Sequence, residues 1–145
     1  MTTLNLSKNK LSWKGAETFS VHLKSMKALT NLDLSDNDVG DLGMISLAQG
    51  LKVSNVEVLD LSGNGIGKTS KQFEMAVMLG DYFKDNKSLE RLSMNWSNLR
   101  GGFGLKILSG LKMVTRLKGL ALANNLLGMS YEKNSPPVTF IAEIL

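Results

Sequence analysis

Leucines recur at alternate positions in five short stretches of this chain, with a methionine in place of one of them. The stretches read Leu4-Asn-Leu-Ser-Lys-Asn9, Leu32-Asp-Leu-Ser-Asp-Asn37, Leu59-Asp-Leu-Ser-Gly-Asn64, Leu92-Ser-Met-Asn-Trp-Ser97 and Leu120-Ala-Leu-Ala-Asn-Asn125. Residues two apart on a strand point to one face, so Leu32 and Leu34 are expected inward. Asn31, Asp33 and Ser35 then point outward. After Val39 the apolar spacing changes to three and four: Met44, Leu47, Ala48 and Leu51 predict a helix. Gly40 to Gly43 reads as the turn before it, and Lys52 sits where a cation suits the helix dipole.

The phrases start at residues 4, 32, 59, 92 and 120, which are 28, 27, 33 and 28 residues apart. The first repeat matches the second position by position, with Leu11, Gly15, Ala16, Phe19 and Leu23 for Val39, Gly43, Met44, Leu47 and Leu51. The third carries about five extra residues around Lys68 to Glu74, expected between strand and helix. The fifth expands over Met129 to Pro137, ahead of a helix expected over Val138 to Leu145. A fixed period of this size predicts a stacked array, with units starting near residues 1, 29, 56, 89 and 117. The predicted class is α/β. It is a right-handed, curved solenoid with a parallel sheet on the concave face and helices on the convex face.

Asn9, Asn37, Asn64 and Asn125 stand where the chain leaves each strand. A buried amide has donors and an acceptor, so it can satisfy backbone groups that lose their ladder partners there. Stacked units turn these amides into a ladder. Ser97 interrupts it, and a local irregularity is expected at that turn.

The phrase LxxLxLxxNxLxxxG followed by a helix resembles the leucine-rich repeat, in its ribonuclease-inhibitor-like class, from Met1 to about Leu127. Relatives in that class include ribonuclease inhibitor, Ran GTPase activators, actin regulators of the tropomodulin type and sensor regions of innate immune receptors. What the resemblance implies is a scaffold that binds proteins. Ribonuclease inhibitor itself is rich in cysteine, and this chain departs from it there.

At 145 residues, with 43% apolar and 21% charged residues, the chain reads as one soluble domain over 1–145. It holds no apolar run long enough for a membrane span, and Met1 to Lys8 has no signal-peptide pattern. The absence of cysteine excludes disulfides and thiolate chemistry, and points to a reducing, cytoplasmic setting. Three N-glycosylation patterns, at Asn5, Asn86 and Asn95, read as coincidence without an export signal. Net charge is only +4, but it is divided. Asp33, Asp36, Asp38 and Asp41 crowd the second repeat. A later stretch from Lys84 to Lys118 is basic, opposed by Asp85 and Glu90.

Ser62-Gly-Asn-Gly-Ile-Gly67-Lys68-Thr69 nearly spells a phosphate-binding loop. Ser62 replaces its first glycine, however, and Leu59, Leu61, Asn64 and Ile66 keep the register of the repeats. A turn is the better reading. From Asp36, the sixth and twelfth positions are Asp41 and Leu47, which breaks the EF-hand pattern. His22 lacks any partner of catalytic or metal-ligand type. The chain is therefore expected to have no cofactor, metal or catalytic residue, and to be no enzyme.

In the expected fold, Asn5, Asp33, Asp60, Ser93 and Ala121 form one outward row. Thr3, Asn31, Val58, Arg91 and Gly119 form another. Trp96 occupies the strand-exit position held elsewhere by Lys8, Asp36, Gly63 and Asn124. Beside Arg91 and Asn95 it has the composition of an interaction hot spot; as cover for the turn at Ser97 it would be structural. Trp13 reads as packing. Asn5, Asp33, Asp36, Asp60, Arg91, Ser93, Asn95 and Trp96 form the expected partner surface. The expected function is non-catalytic binding of a protein partner. The alternative is regulation of an enzyme, as by a small-GTPase activator of the Ran-activator type. Nucleic acid fits poorly, because the concave face is acidic. The first strand begins at once and no polar cap precedes it. That predicts either a segment of a longer protein or self-association through the ends.

Overall fold

The computed structural model describes residues 1–128. The expansion over 129–137 and the helix expected over 138–145 lie outside them. Five strands alternate with four helices: β1 (Thr3–Asn5), α1 (Ser12–Leu23), β2 (Asn31–Asp33), α2 (Gly40–Leu51), β3 (Val58–Asp60), α3 (Gln72–Asp85), β4 (Arg91–Ser93), α4 (Gly101–Leu111) and β5 (Gly119–Ala121). The strands form one parallel sheet in chain order. Leu4, Leu32, Leu59, Leu92 and Leu120 lie side by side across it. The sequence phrase and the hydrogen-bond register thus coincide.

Each inward strand leucine meets the apolar stripe of a helix. Leu32, Leu34, Leu59, Leu61, Leu92 and Met94 share one core with Met44, Leu47, Leu79, Phe83 and Ile107. Burying a side chain of this size contributes about 1.5–3 kcal/mol. No single unit could bury both its strand and its helix stripe, so the stack is the folding unit. At the two ends the equivalent leucines, Leu4, Leu6, Leu120 and Leu122, are only half-buried.

Two expected boundaries move. Gly40 to Gly43 opens α2 instead of preceding it. Helix packing requires the glycine here: a Cβ on Gly43 would stand 2.9 Å from Trp13 Cα. The insertion in the third repeat is also partly helical, since α3 starts at Gln72. Trp13 itself is 43% exposed, so its ring is not core packing. It lies under the Lys14 ammonium instead.

Helix spacing is uneven. Gly50 passes close to α1, where a Cβ would stand 2.5 Å from the Ser20 carbonyl oxygen, and Gly110 passes the Gly80 carbonyl in the same manner. The matching position of α3 holds Tyr82, whose ring is fully buried against Phe83. Its hydroxyl finds no hydrogen-bond partner, and burial pushes its pKa far up.

The amide ladder forms as the sequence implies. Asn37 Oδ1 accepts from Asn9 N and Leu11 N, and its Nδ2 donates to Leu34 O and Leu6 O. Asn64 repeats this with Asn37 N, Val39 N, Leu61 O and Leu34 O. Asn125 does so with Ser97 N, Leu99 N, Met94 O and Leu122 O. At Ser97 the outcome differs from expectation. The turn keeps the common backbone, with Trp96 at φ 54° beside 54° for Asp36 and 58° for Asn124. The disturbance lies in the contact with the preceding turn: the hydroxyl is too short to reach it, and Gly67 N there donates to Asp41 Oδ1 where Ser12 N and Gly40 N donate to Asn37 O and Asn64 O. The Ser97 hydroxyl is left with a local acceptor. It donates within its own turn to Asn95 O.

Candidate protein-binding face

The strand exits build the polar surface of the concave face. Asn5 Oδ1 accepts from Ser7 N and Asp33 Oδ1 from Ser35 N, at 2.8 and 2.9 Å. Asp60 Oδ1 accepts from Ser62 N at 2.8 Å. A side-chain oxygen bonding the amide two residues on is an Asx turn, which ends a strand and satisfies its last donor. Asn5 Nδ2 also donates to Asp33 Oδ2 at 3.0 Å. The acidic row is therefore partly a structural device, announced in the sequence by Asn or Asp two places before Ser.

The fourth repeat changes the chemistry. Ser93 brings a hydroxyl where the others have an acid or amide. Ser62 Oγ and Ser93 Oγ are 2.9 Å apart, and Asn95 Nδ2 donates to Ser93 Oγ. Asn95 Oδ1 accepts from Ala123 N at 2.7 Å, across to the fifth repeat. Arg91 lays its stem over the next strand, with a Cβ on Gly119 lying 3.4 Å from Arg91 Cγ. Two shallow grooves result. One of 250 Å³ runs between Asn5, Asn31, Asp33 and Asp60. One of 320 Å³ lies between Asp60, Arg91, Ser93 and Ala121.

Above the sheet, the rim is formed by five turns with one backbone geometry. Lys8, Asp36, Gly63, Trp96 and Asn124 all lie in the left-handed region, at φ between 54° and 67°. That region is disfavoured for a bulky side chain. Trp96 nevertheless occupies it with 67% of its surface exposed, so its ring does not act as a lid over the turn. Asp36 leans over Gly63, where a Cβ would collide with the Asp36 carboxylate. Of the expected surface residues, the structure places Asn5, Asp33, Asp60, Arg91 and Ser93 on the sheet. Asn95 lies at its exit, and Asp36 and Trp96 on the rim.

The four crowded aspartates separate in space. Asp33 lies on the concave face, Asp36 and Asp38 on the rim, and Asp41 is buried in the first turn of α2. Asp41 Oδ1 accepts from Gly67 N at 2.6 Å, and Oδ2 from Thr69 N and Thr69 Oγ1 at 2.9 and 2.6 Å. These amides belong to the loop that imitates a phosphate cradle. A carboxylate of the same chain fills the position that a phosphate would take, which gives a physical reason for the turn reading. The sequence did not reveal this use of Asp41, because its partners lie 26 and 28 residues away.

On the basic side, Glu90 accepts from Arg116 Nη2 at 2.6 Å and from Lys118 Nζ at 2.8 Å. The Lys118 and Arg116 hydrogen bonds, in that order, hold its carboxyl below the usual range. Among the described residues, no group of three metal-ligating side chains converges. No helix there is long and apolar enough to cross a membrane.

The family model for the leucine-rich repeat matches residues 1–20, 26–48 and 54–69, in the first three units. The fold is a leucine-rich repeat solenoid. Comparison with curated proteins finds no sequence match. Among solved structures, this chain is similar to one titled leiomodin-1 actin-binding site 2. The TM-score is 0.72 at 19% identity, covering 100% of this chain and 79% of that one. A likeness at that identity speaks for the fold.

Proposed function

We propose that this leucine-rich repeat domain is a non-catalytic scaffold that binds a protein partner through its concave face and upper rim. The observation that carries the reading is Trp96. A tryptophan held in a left-handed turn costs stability, and with 67% exposure it recovers little by burial. Such a residue is explained by contacts outside the fold, and tryptophan is enriched at the centre of protein interfaces. The partner surface is Asn5, Asp33, Asp36, Asp60, Arg91, Ser93, Asn95 and Trp96. Asp60 and Arg91 set opposite charges along the same groove, which suits an alternating polar surface on the partner.

We read the subclass as ribonuclease-inhibitor-like. Its support is the period of 27–28 residues in regular units and helices of 11–14 residues on the convex side. The lack of cysteine supports a cytoplasmic setting.

The solved relative is named for an actin-binding site, so actin is the first partner to test. Cosedimentation with filaments and native electrophoresis with monomeric actin cover both of its forms. Affinity capture from lysate, with wild type and an Asp33→Ala/Asp60→Ala/Trp96→Ala variant, covers other partners. A partner lost by that variant and kept by Trp13→Ala supports the face. Identical partner sets for the two would sink it.

A further inference from the structure

We propose that the cavity between the turns that follow α2 and α3 binds a single phosphate group, with the Tyr82 hydroxyl as its buried donor. The inference is independent of the partner proposed for the concave face, because these turns lie at the strand-entry edge of the sheet, opposite the rim that carries Trp96.

Tyr82 stands in the row where α2 has Gly50 and α4 has Gly110. The repeat therefore needs no ring there. The side chain is fully buried, and its hydroxyl has no hydrogen-bond partner among the described residues. An unpartnered buried hydroxyl is costly, and a phenylalanine would fill the same space without that cost. Burial pushes the Tyr82 pKa far up, so the hydroxyl keeps its proton at neutral pH and serves as a donor. A ligand that accepts from it explains why the oxygen is there.

Tyr82 forms part of the wall of a cavity of 140 Å³. The wall is completed by Lys52 and Ser54 from the turn after α2, and by Asp85 to Ser88 from the turn after α3. That volume holds about four waters at roughly 30 Å³ each. It suits one small ion with a water or two, and falls short of the roughly 300 Å³ or more that drug-sized ligands need.

Donors predominate in the wall. Asn86 Oδ1 is taken by Ser88 N and Leu89 N at 2.9 and 2.6 Å, so this side chain has only its Nδ2 donors to offer. Ser54 Oγ is committed to Leu51 O at 2.9 Å, whereas Ser88 Oγ has no partner among the described residues. Asp85 is the only acid in the wall, and it pairs with Lys52 Nζ at 3.5 Å. Lys87 has no ion pair among the described residues, so the wall carries a net positive charge. Unpaired carbonyls at helix C-termini disfavour an anion. Here Gly50 O and Leu51 O are capped by Val53 N and Ser54 N, and Phe83 O by Asn86 N, so the side chains set the charge. A compact anion with several acceptor oxygens satisfies this set, and charge-assisted hydrogen bonds of this kind are strong.

Phosphate comes free or on a protein side chain, so the test uses two probes, inorganic phosphate and a short phosphoserine peptide. Each is compared with sodium chloride at equal ionic strength. Calorimetric melting of the 145-residue chain reads binding as a midpoint that climbs with probe concentration. Wild type is expected to respond to at least one probe, and which one identifies the source. Tyr82→Phe is expected to keep its circular dichroism and to melt no lower than wild type without probe, since it loses an unpaired group. It is expected to need roughly tenfold more probe for the same rise, as is Lys87→Gln. Trp96→Ala, at the opposite edge, is expected to respond as wild type does. An equal rise in all four proteins would place the effect elsewhere, as with phosphate acting as an excluded salt. No rise with either probe would leave the cavity without this ligand. Either result overturns the proposal.

Discussion

The Asp41 carboxylate accepts the Gly67 amide at 2.6 Å, locking the first turn of α2 to the loop that opens the third repeat. Asp41 is 1% exposed, and its second oxygen takes both the amide and the hydroxyl of Thr69. Removing the acceptor strands a buried donor and frees the loop. Asp41→Ala is expected to lower unfolding free energy by about 3 kcal/mol, within the usual cost of losing charged hydrogen bonds. Urea denaturation measures it, and a loss under about 1 kcal/mol would show that the loop is held by other contacts. Lys68→Ala, by contrast, is expected to leave both stability and any weak nucleotide binding unchanged.

Trp96 separates folding from binding. Replacing it with glycine relieves a left-handed conformation that costs roughly 1–2 kcal/mol for a residue with a Cβ. The Trp96→Gly variant is expected to melt at a higher temperature while losing roughly tenfold or more in partner affinity. Differential scanning calorimetry and a binding titration check the two halves. A variant that is less stable and binds equally well would make the ring a structural element.

How far the sequence foretold these residues depends on distance along the chain. Leucines two apart and amides one period apart are local signals that recur in four of the five phrases, so sheet order, register and ladder were legible. The Asx turns at Asp33 and Asp60 were visible as Asp followed two places later by Ser, once their geometry is known. Asp41 was not legible, since four aspartates in nine positions look like one surface patch. The fold sends them to three different environments. Gly43 was misread because close helix packing and turn formation call for the same residue. Exposure at Trp96 could not be read from its phrase, which says where the turn is and not what stands above it.

Ser97 offers a gain of stability. The turn already has the backbone that asparagine uses elsewhere, and only the reach of the side chain is missing. Ser97→Asn is expected to link this turn to that of Asn64 and to add about 1 kcal/mol, the net value of a typical hydrogen bond. The midpoint of chemical denaturation reports it. No gain would mean that the longer insertion in the third repeat holds the two turns apart.

Glu90 makes the stack sensitive to acid. Its carboxyl is held below the usual range by Lys118 and Arg116 in the native state, so the charged form favours folding. That contribution is complete above the unfolded carboxylate pKa of about 4.3. It is lost as pH falls through the lower native value. Wild type is expected to melt above Glu90→Gln at neutral pH, with the gap closing in acid and narrowing in high salt. A gap independent of pH would assign the effect to packing.

Tyr82 has a consequence for shape. Glycine lets α2 lie against α1 and α4 against α3, backbone to backbone, whereas a phenol ring fills the matching position between α2 and α3. The strands beneath keep one hydrogen-bonded spacing, so a wider gap above them acts as a wedge. The arc is therefore expected to bend most sharply between the second and third repeats. That seam falls beneath the acidic row at Asp33 and Asp60, and whatever lies in the hollow must fit its tightest curve there.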